Sequence, residues 1–317
     1  MAQSPQETEE PGPPRRKRRV VRYAFVLLLL ALLAAMAIGW MQRKQLADDA
    51  IANAFAEREV QARYDIDSIA PTRQVLSNIV IGDPARPDLT VERVVVEIRP
   101  RLGLPAITHV HLTRPRLFGT LQGGTPSFGD LDPFVFTGSE EPFEFPDLNL
   151  TVDDGRALME TDYGRVALKL SGSGHLRGGF SGELAAVAPA LSGAGCVGEE
   201  VTLYGEVGID AERPEFHGPL RFAALDCEAG GLALRDAGAV LDLQAERNLA
   251  EYEGELDFSV ASMALADMQA ALDGQGRFTW HDNDLDVRYD ITASDAATAY
   301  ASIGTLGVEG RVRALGG

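Results

Sequence analysis

The longest apolar run in the chain covers residues 23–41, YAFVLLLLALLAAMAIGWM, nineteen residues without a charged side chain. At about 1.5 Å of rise per residue, a helix of this length covers roughly 28 Å, close to the thickness of a bilayer's hydrocarbon core. Tyr23 and Trp40 lie near its two ends, where aromatic side chains prefer the membrane interface. The pattern predicts a transmembrane helix over residues 23–41.

Basic residues flank this run asymmetrically. Six lie between Arg15 and Arg22, whereas only Arg43 and Lys44 follow closely. Because segments rich in Lys and Arg stay on the cytoplasmic side, we expect residues 1–22 to form a disordered, basic cytoplasmic tail and the chain beyond the span to be exported. The alternative is a cleaved signal peptide. Its apolar region would be only about 7–15 residues long and would end in a small-residue cleavage site, which this run lacks.

Residues 42–62 place apolar side chains at helical spacing. Leu46, Ala50, Ile51 and Phe55 fall on one stripe, and most acidic side chains lie elsewhere. This is the pattern of an amphipathic helix. We therefore expect a helix over 42–62 that continues from the span and packs on the first strands.

Beyond about residue 63 the dominant period is two. In VTLYGEVGI, Val201, Leu203 and Val207 alternate with polar residues, and the pattern recurs in DLDVRYDIT, which begins at Asp284. Turn residues fall about every 8–14 positions, which is typical of an antiparallel meander. The pattern predicts a mainly β domain over residues 63–317, with one apolar face and one acidic, solvated face.

Two segments depart from this period. Glu183–Leu191 (ELAAVAPAL) predicts a short helix that Pro189 would end. Gly123–Pro146 is rich in Gly, Pro and Phe and has no regular period. Its five phenylalanines predict an ordered loop that packs aromatic side chains on a sheet, with a flexible linker as the alternative.

The inward apolar positions of the β domain form the candidate binding surface. A sheet of this length would normally curl, split or close to bury its edges and its apolar face. We expect an elongated, mostly antiparallel sheet that curls into a groove and stays open along one side. The positions expected to line this groove are Val201, Leu203, Val207, Leu220, Phe222, Leu241, Leu243, Leu256, Phe258, Phe278, Val287, Tyr289 and Ile291.

Charge narrows the range of partners. The formal net charge is -18, and residues 1–44 contribute +5 through eight basic and three acidic side chains, which leaves -23 for the rest. Such a surface disfavours nucleic acid, whose affinity comes largely from phosphate neutralisation. It also disfavours adhesion to an anionic membrane surface. We therefore expect no nucleic-acid partner.

The chain has two cysteines, Cys196 and Cys227. They cannot by themselves supply a four-ligand zinc site. In an oxidising, exported compartment an even cysteine count suggests one disulfide, which would close a loop of about 30 residues. Two separate buried thiols are the alternative.

No catalytic or cofactor motif occurs: there is no G-x-S-x-G, Walker loop, H-E-x-x-H or dinucleotide fingerprint. His109 and His111 share one face of a strand, but a bare H-x-H is more typical of an exposed strand pair than of a metal site. Asp282, Asp284 and Asp286 lack the Gly and distal Glu of a calcium loop and indicate a hairpin turn. We expect neither an enzyme nor a bound cofactor or metal.

Three segments carry a family resemblance: VLSNIVIGDPARPDLTVERVVVEIRP from Val75, ITHVHLTRPRLFGTL from Ile107, and GGTPSFGDLDPF from Gly123. With the preceding apolar span, they resemble the start of AsmA-like/TamB-like proteins, in particular the YdbH-like branch. The region Ala194–Leu234, which contains both cysteines, fits the same branch. The chain is shorter than is usual for such proteins, so it resembles either a short member or an N-terminal piece.

The resemblance implies an anchor in the inner membrane of Gram-negative bacteria and a periplasmic β-groove that carries phospholipid towards the outer membrane. Phospholipid acyl chains and the inner membrane would then be partners, with periplasmic or outer-membrane envelope proteins as further candidates. The second hypothesis is a non-catalytic structural or assembly factor of the cell envelope. The sequence pattern fits both, because alternation along strands does not show whether the apolar face is covered.

Overall fold

The computed structural model describes residues 55–58, 60–101, 105–136, 144–247, 249–281 and 284–314. The chain divides into two compact units, Met1–Ile51 and Ala52–Gly317. The first unit, with the predicted tail and the predicted span over 23–41, lies outside the described residues. Among the helices that are described, none has the length and apolar character needed to cross a bilayer.

Most of the helix predicted over residues 42–62 also lies outside the described residues. Phe55 and Ala56 are helical, and the chain has entered its first strand by Ala62.

The described part of the second unit is one long, curled sheet of sixteen strands. The prediction of a mainly β chain with few short helices is therefore confirmed. The helical elements are α1 (Asp132–Val135) and two 3-10 turns, Gly129–Leu131 and Ala229–Gly231. The strands are β1 (Ala62–Ala70), β2 (Arg73–Asp83), β3 (Arg86–Arg99), β4 (Ala106–Thr113), β5 (Arg116–Gln122), β6 (Thr125–Ser127), β7 (Asn149–Thr161), β8 (Gly164–His175), β9 (Phe180–Gly193), β10 (Cys196–Asp210), β11 (Arg213–Cys227), β12 (Leu232–Ala245), β13 (Tyr252–Leu265), β14 (Met268–His281), β15 (Asp284–Ala297) and β16 (Ser302–Ala314).

From β7 to β16 the sheet is a continuous antiparallel meander in which each strand pairs with the next. Two-residue turns join several of these strands. Asp210 pairs with Arg213 around Ala211 and Glu212, whose φ angles are 49° and 65°. Positive φ at both turn residues matches the right-handed twist of the flanking strands, which explains how such a short connection joins them.

One junction in the sheet is parallel, which the sequence pattern does not predict. Strand β7 runs parallel first to β4 and then to β5, while its other edge pairs antiparallel with β8. Asp154 lies in the bulge of β7 at this junction, and its carboxylate accepts a hydrogen bond from the Arg116 guanidinium at 3.2 Å, with Arg156 and Lys169 close by. The Arg116 hydrogen bond and these cations hold the pKa of Asp154 below its usual value, so the carboxylate stays charged and ties β5 to β7.

The short helix predicted over Glu183–Leu191 is wrong: this segment is part of β9. It pairs with β10 along its length and with β8 between Ser181 and Val187. Hydrogen bonds to two neighbouring strands outweigh the weak helix preference of Ala, Leu and Glu. Pro189 follows the stretch that pairs with β8, so its missing N–H interrupts no bond in that stretch.

A row of backbone irregularities crosses the sheet. Glu200, Asp236 and Asp295 have φ angles of 50°, 51° and 52°. Bulges interrupt the β13–β14 and β14–β15 pairings at the corresponding positions. Each irregularity shifts the side-chain alternation by one residue, so that Ala293 and Ala296, three positions apart, lie in the same buried cluster.

The core is small for a chain of this size. Among the described residues no large side chain is completely buried, and no polar or charged residue is in the buried class. The buried apolar residues are mostly Val and Ala, such as Val91, Ala188 and Val260. The sheet therefore has an apolar face that the described chain covers only in part.

Candidate functional site on the inner face of the sheet

The strand register places all thirteen predicted groove positions on one face of the sheet. Leu203 lies opposite Leu220, Leu241 opposite Leu256, and Phe278 opposite Val287. Extended across seven strands, the register gives three rows, which together with Val201 and Phe222 we call the inner face. The rows are Val207–Phe216–Leu243–Gly254–Phe278–Val287–Val312, Gly205–Gly218–Leu241–Leu256–Gly276–Tyr289–Gly310 and Leu203–Leu220–Ala239–Phe258–Gly274–Ile291–Val308.

No position of the inner face carries a charged side chain, and the Tyr289 hydroxyl is its one polar side-chain group. With neighbouring strands about 4.8 Å apart, seven strands give an uninterrupted apolar path of roughly 29 Å. This surface can hold an apolar ligand, but it offers neither a nucleophile nor an acid–base pair.

The inner face is accessible. Val201 is 7% exposed and buried, whereas the other twelve predicted positions are only half-buried. On the edge strand β16 the inward Val308 and Val312 are 44% and 52% exposed. Unlike the side chains of a closed core, these side chains are covered only in part by the described residues.

The opposite face of the same strands is charged. Arg277 pairs with Glu255 on β13, and Asp286 on β15 pairs with Arg311 and Arg313 on β16. Hydrogen bonds from Arg311 and Arg313 hold the pKa of Asp286 well below its usual value. The sheet therefore separates an uncharged inner face from an ionised outer face, as the alternation predicts.

The histidines of the H-x-H motif lie apart from this surface. His109 hydrogen-bonds the Thr151 hydroxyl at 2.9 Å, and His111 contacts the Asp153 carboxylate at 2.6 Å. Within the described ranges, no group of three or more His, Cys, Asp or Glu side chains is arranged to hold a metal ion. Asp282, from the acidic segment, lies outside the described residues.

Three phenylalanines of the irregular segment after β5 make aromatic or strand contacts among the described residues. Phe128 stacks on Phe136 with ring centroids 6.1 Å apart, and Phe134 meets Phe55 edge-on at 5.6 Å. The Phe128 ring also lies against Gly119 of β5. Residues 137–143, which include Phe143, lie outside the described residues.

Cys196 and Cys227 lie at the end of the β10–β11 hairpin, where the structure joins them in a disulfide. The register pairs the two residues directly, so the bridge links neighbouring strands at the far side of the irregular row from the inner face. It supports the strands that carry the apolar rows without adding a reactive group to them.

Comparison with known proteins gives one family. The model of the YdbH-like family, described as intermembrane phospholipid transport protein YdbH, matches residues 28–315. No curated protein and no solved structure matches the chain. The matched range covers the whole described sheet, and it confirms the resemblance to the YdbH-like branch.

Proposed function

The chain belongs to the YdbH-like family, and on that premise we propose that it transfers phospholipids between membranes by holding their acyl chains on the inner face. The family is one of intermembrane phospholipid transport, which operates in the cell envelope. Specifically, we propose that acyl chains move along the sheet and that the thirteen inward positions line their path.

The observation that carries this proposal is the uncharged and mostly half-buried inner face, which continues across seven strands. Moving a lipid through water exposes its acyl chains at a cost of about 0.8 kcal/mol for each CH₂ group. A continuous apolar path lowers that barrier, while the headgroup remains in water along the open side. No chemical reaction is required, and we propose none.

We also propose the placement that the sequence predicts. The span over residues 23–41 would anchor the chain in the bacterial inner membrane, with the tail in the cytoplasm and the sheet in the periplasm. Phospholipid would then enter near the anchored end of the chain. Envelope proteins of the periplasm or outer membrane would be the partners that receive the lipid.

Site-specific photo-crosslinking tests the path. A photoreactive amino acid at Ile291, on the inner face, should capture phospholipid in intact cells. The same amino acid at the neighbouring Thr292 provides the matched control, because consecutive residues of a strand point to opposite faces. Capture at both positions or at neither would contradict an inner-face path.

The same experiment separates the path from the alternative of a structural or assembly factor. If the probe at Ile291 reacts only with other parts of the same chain or with a protein, the inner face is an ordinary packing or docking surface. The structural role would then be preferred.

A further inference from the structure

Aromatic side chains on the inner face lie over glycines of neighbouring strands. Phe258 is directly opposite Gly274, and Phe278 is directly opposite Gly254, both across β13 and β14. In each pair the ring atom Cζ is 2.7 Å from the point that a Cβ atom on the glycine would occupy. Any larger residue at the glycine would therefore overlap the ring.

The same arrangement recurs at other strand pairs. The Phe216 ring reaches Gly205 across β10 and β11, and its Cζ atom is 2.8 Å from that glycine's Cβ position. Tyr289 on β15 lies directly opposite Gly310 on β16 and occupies the space of its missing side chain.

This geometry means that the rings lie along the sheet. Side chains on strands usually stand roughly perpendicular to the sheet. A ring whose far end reaches the next strand, about 4.8 Å away, is instead inclined over that strand. Such a ring takes up less height above the sheet than an upright one.

We propose that these glycine–aromatic pairs set the depth of the acyl-chain path. The glycines act as positioning residues: each allows one ring to lie flat, and together the flat rings form a smooth apolar floor. The inference rests on the proposed function and identifies the residues that keep the path deep enough for an acyl chain.

Gly310 gives the sharpest test. At Gly254 and Gly274 a Cβ would also approach the backbone carbonyl oxygens of Asp242 and Asp290 at 2.6 Å, so alanine there would strain the sheet itself. At Gly310 the three nearest atoms all belong to the Tyr289 side chain. Gly310→Ala should therefore displace the Tyr289 ring and leave the backbone pairing of β15 and β16 in place.

The experiment measures phospholipid captured in cells by a photoreactive amino acid at Ile291 of the full chain. Gly310→Ala should lose most of the captured lipid. Gly307→Ala, on the same strand with nothing within 4 Å of the added Cβ, should retain it. Protease resistance of each variant reports whether the sheet is folded.

A double variant shows whether displacement of the Tyr289 ring causes the loss of captured phospholipid. In a Tyr289→Ala background no ring remains to be displaced, so adding Gly310→Ala should cause no further loss of whatever lipid Tyr289→Ala alone captures. Undiminished capture in Gly310→Ala, equal loss in Gly307→Ala, or a further loss in the Tyr289→Ala background would each overturn the depth proposal while the path itself stands. If the original chain captures no phospholipid at Ile291, the proposed function fails and the depth proposal falls with it.

Discussion

Cys196 and Cys227 face each other directly across the β10–β11 hairpin, with Cα atoms 4.0 Å apart and a sequence separation of 31. Bonding two residues already brought together by strand pairing closes the hairpin at its open end. The bond thus acts mainly on the unfolded chain, whose freedom it reduces.

We predict that non-reducing peptide mapping of the protein from cells recovers Cys196 and Cys227 as one linked pair. In the chain-entropy model a loop of this length stabilises the fold by about 3–4 kcal/mol. Cys196→Ser/Cys227→Ser should lower the free energy of unfolding by up to that amount in denaturant titrations. Complete alkylation of both thiols in the native protein would show that the disulfide does not form.

A charge on the inner face should block transfer while the sheet stays folded. Ile291→Asp places a carboxylate in the apolar path, where an unpaired charge costs several kcal/mol against a passing acyl chain. Phe222→Asp makes the same change at another predicted position. Phospholipid transport in cells should be lost in both variants.

Thr292→Asp is the matched control for Ile291→Asp, because it adds the same charge to the exposed outer face one residue away. Transport should be retained in this variant. If Ile291→Asp unfolds the sheet, as judged by circular dichroism and proteolysis, Ile291 is a core residue and the path interpretation loses its support there.

The attachment of the edge strand β16 should depend on pH. Arg311 and Arg313 hydrogen-bond the Asp286 carboxylate and depress its pKa in the folded state. A carboxylate with a depressed folded pKa contributes stability above its unfolded pKa of about 4 and loses that contribution as pH falls through the folded value. Acidification below about pH 4 should therefore loosen β16.

Pepsin cleavage near the end of the chain, followed as a function of acid pH, measures this loosening. Asp286→Asn should make β16 more susceptible already at the upper end of the range and remove most of the pH dependence. Asp290→Asn, four residues away on the same face, should behave like the original chain. Equal effects of the two substitutions would indicate a general charge effect.

The basic asymmetry around residues 23–41 predicts the membrane topology. A reporter that is active only in the periplasm should be active when fused after Gly317 and inactive when fused before Arg15. The opposite result would place the sheet in the cytoplasm, where the proposed path between two membranes has no role.

Much of the sheet could be predicted because its strands are regular. Between Val201 and Ile209, or between Leu285 and Ile291, each second residue is apolar, and the register assembles these positions on one face as expected. The periodicity works here because each strand has one apolar face and one solvated face over its whole central part.

The structure differs from the sequence predictions where pairing between distant segments decides the local conformation. Nothing local in ELAAVAPAL distinguishes a strand from a helix, and its two neighbouring strands decide the outcome. The parallel junction of β7 with β4 and β5 joins segments far apart in sequence. Likewise, nothing in the sequence distinguishes the acidic residues Glu200, Asp236 and Asp295. Their backbone is left-handed at aligned positions of the sheet, and this conformation shifts the side-chain alternation.

The glycine–aromatic pairs also depend on register. Phe258 and Gly274 are sixteen residues apart. Phe258 alone indicates only an apolar strand position, and Gly274 alone indicates only a position that weakens a strand. A signal could have been found by pairing the strands first, since Gly then recurs opposite Phe or Tyr across several hairpins. Sequence alternation shows the face of each residue but not its cross-strand neighbour.

From β8 to β15 each strand pairs only with its predecessor and its successor, and no large side chain among the described residues is completely buried. Stability in such an architecture accumulates from one neighbour to the next, as in repeat proteins. A hairpin could then be gained or lost without rebuilding the rest, and each would change the span by about 9.6 Å, twice the strand spacing. The length of the proposed path could therefore change in steps of two strands while the rest of the fold is kept.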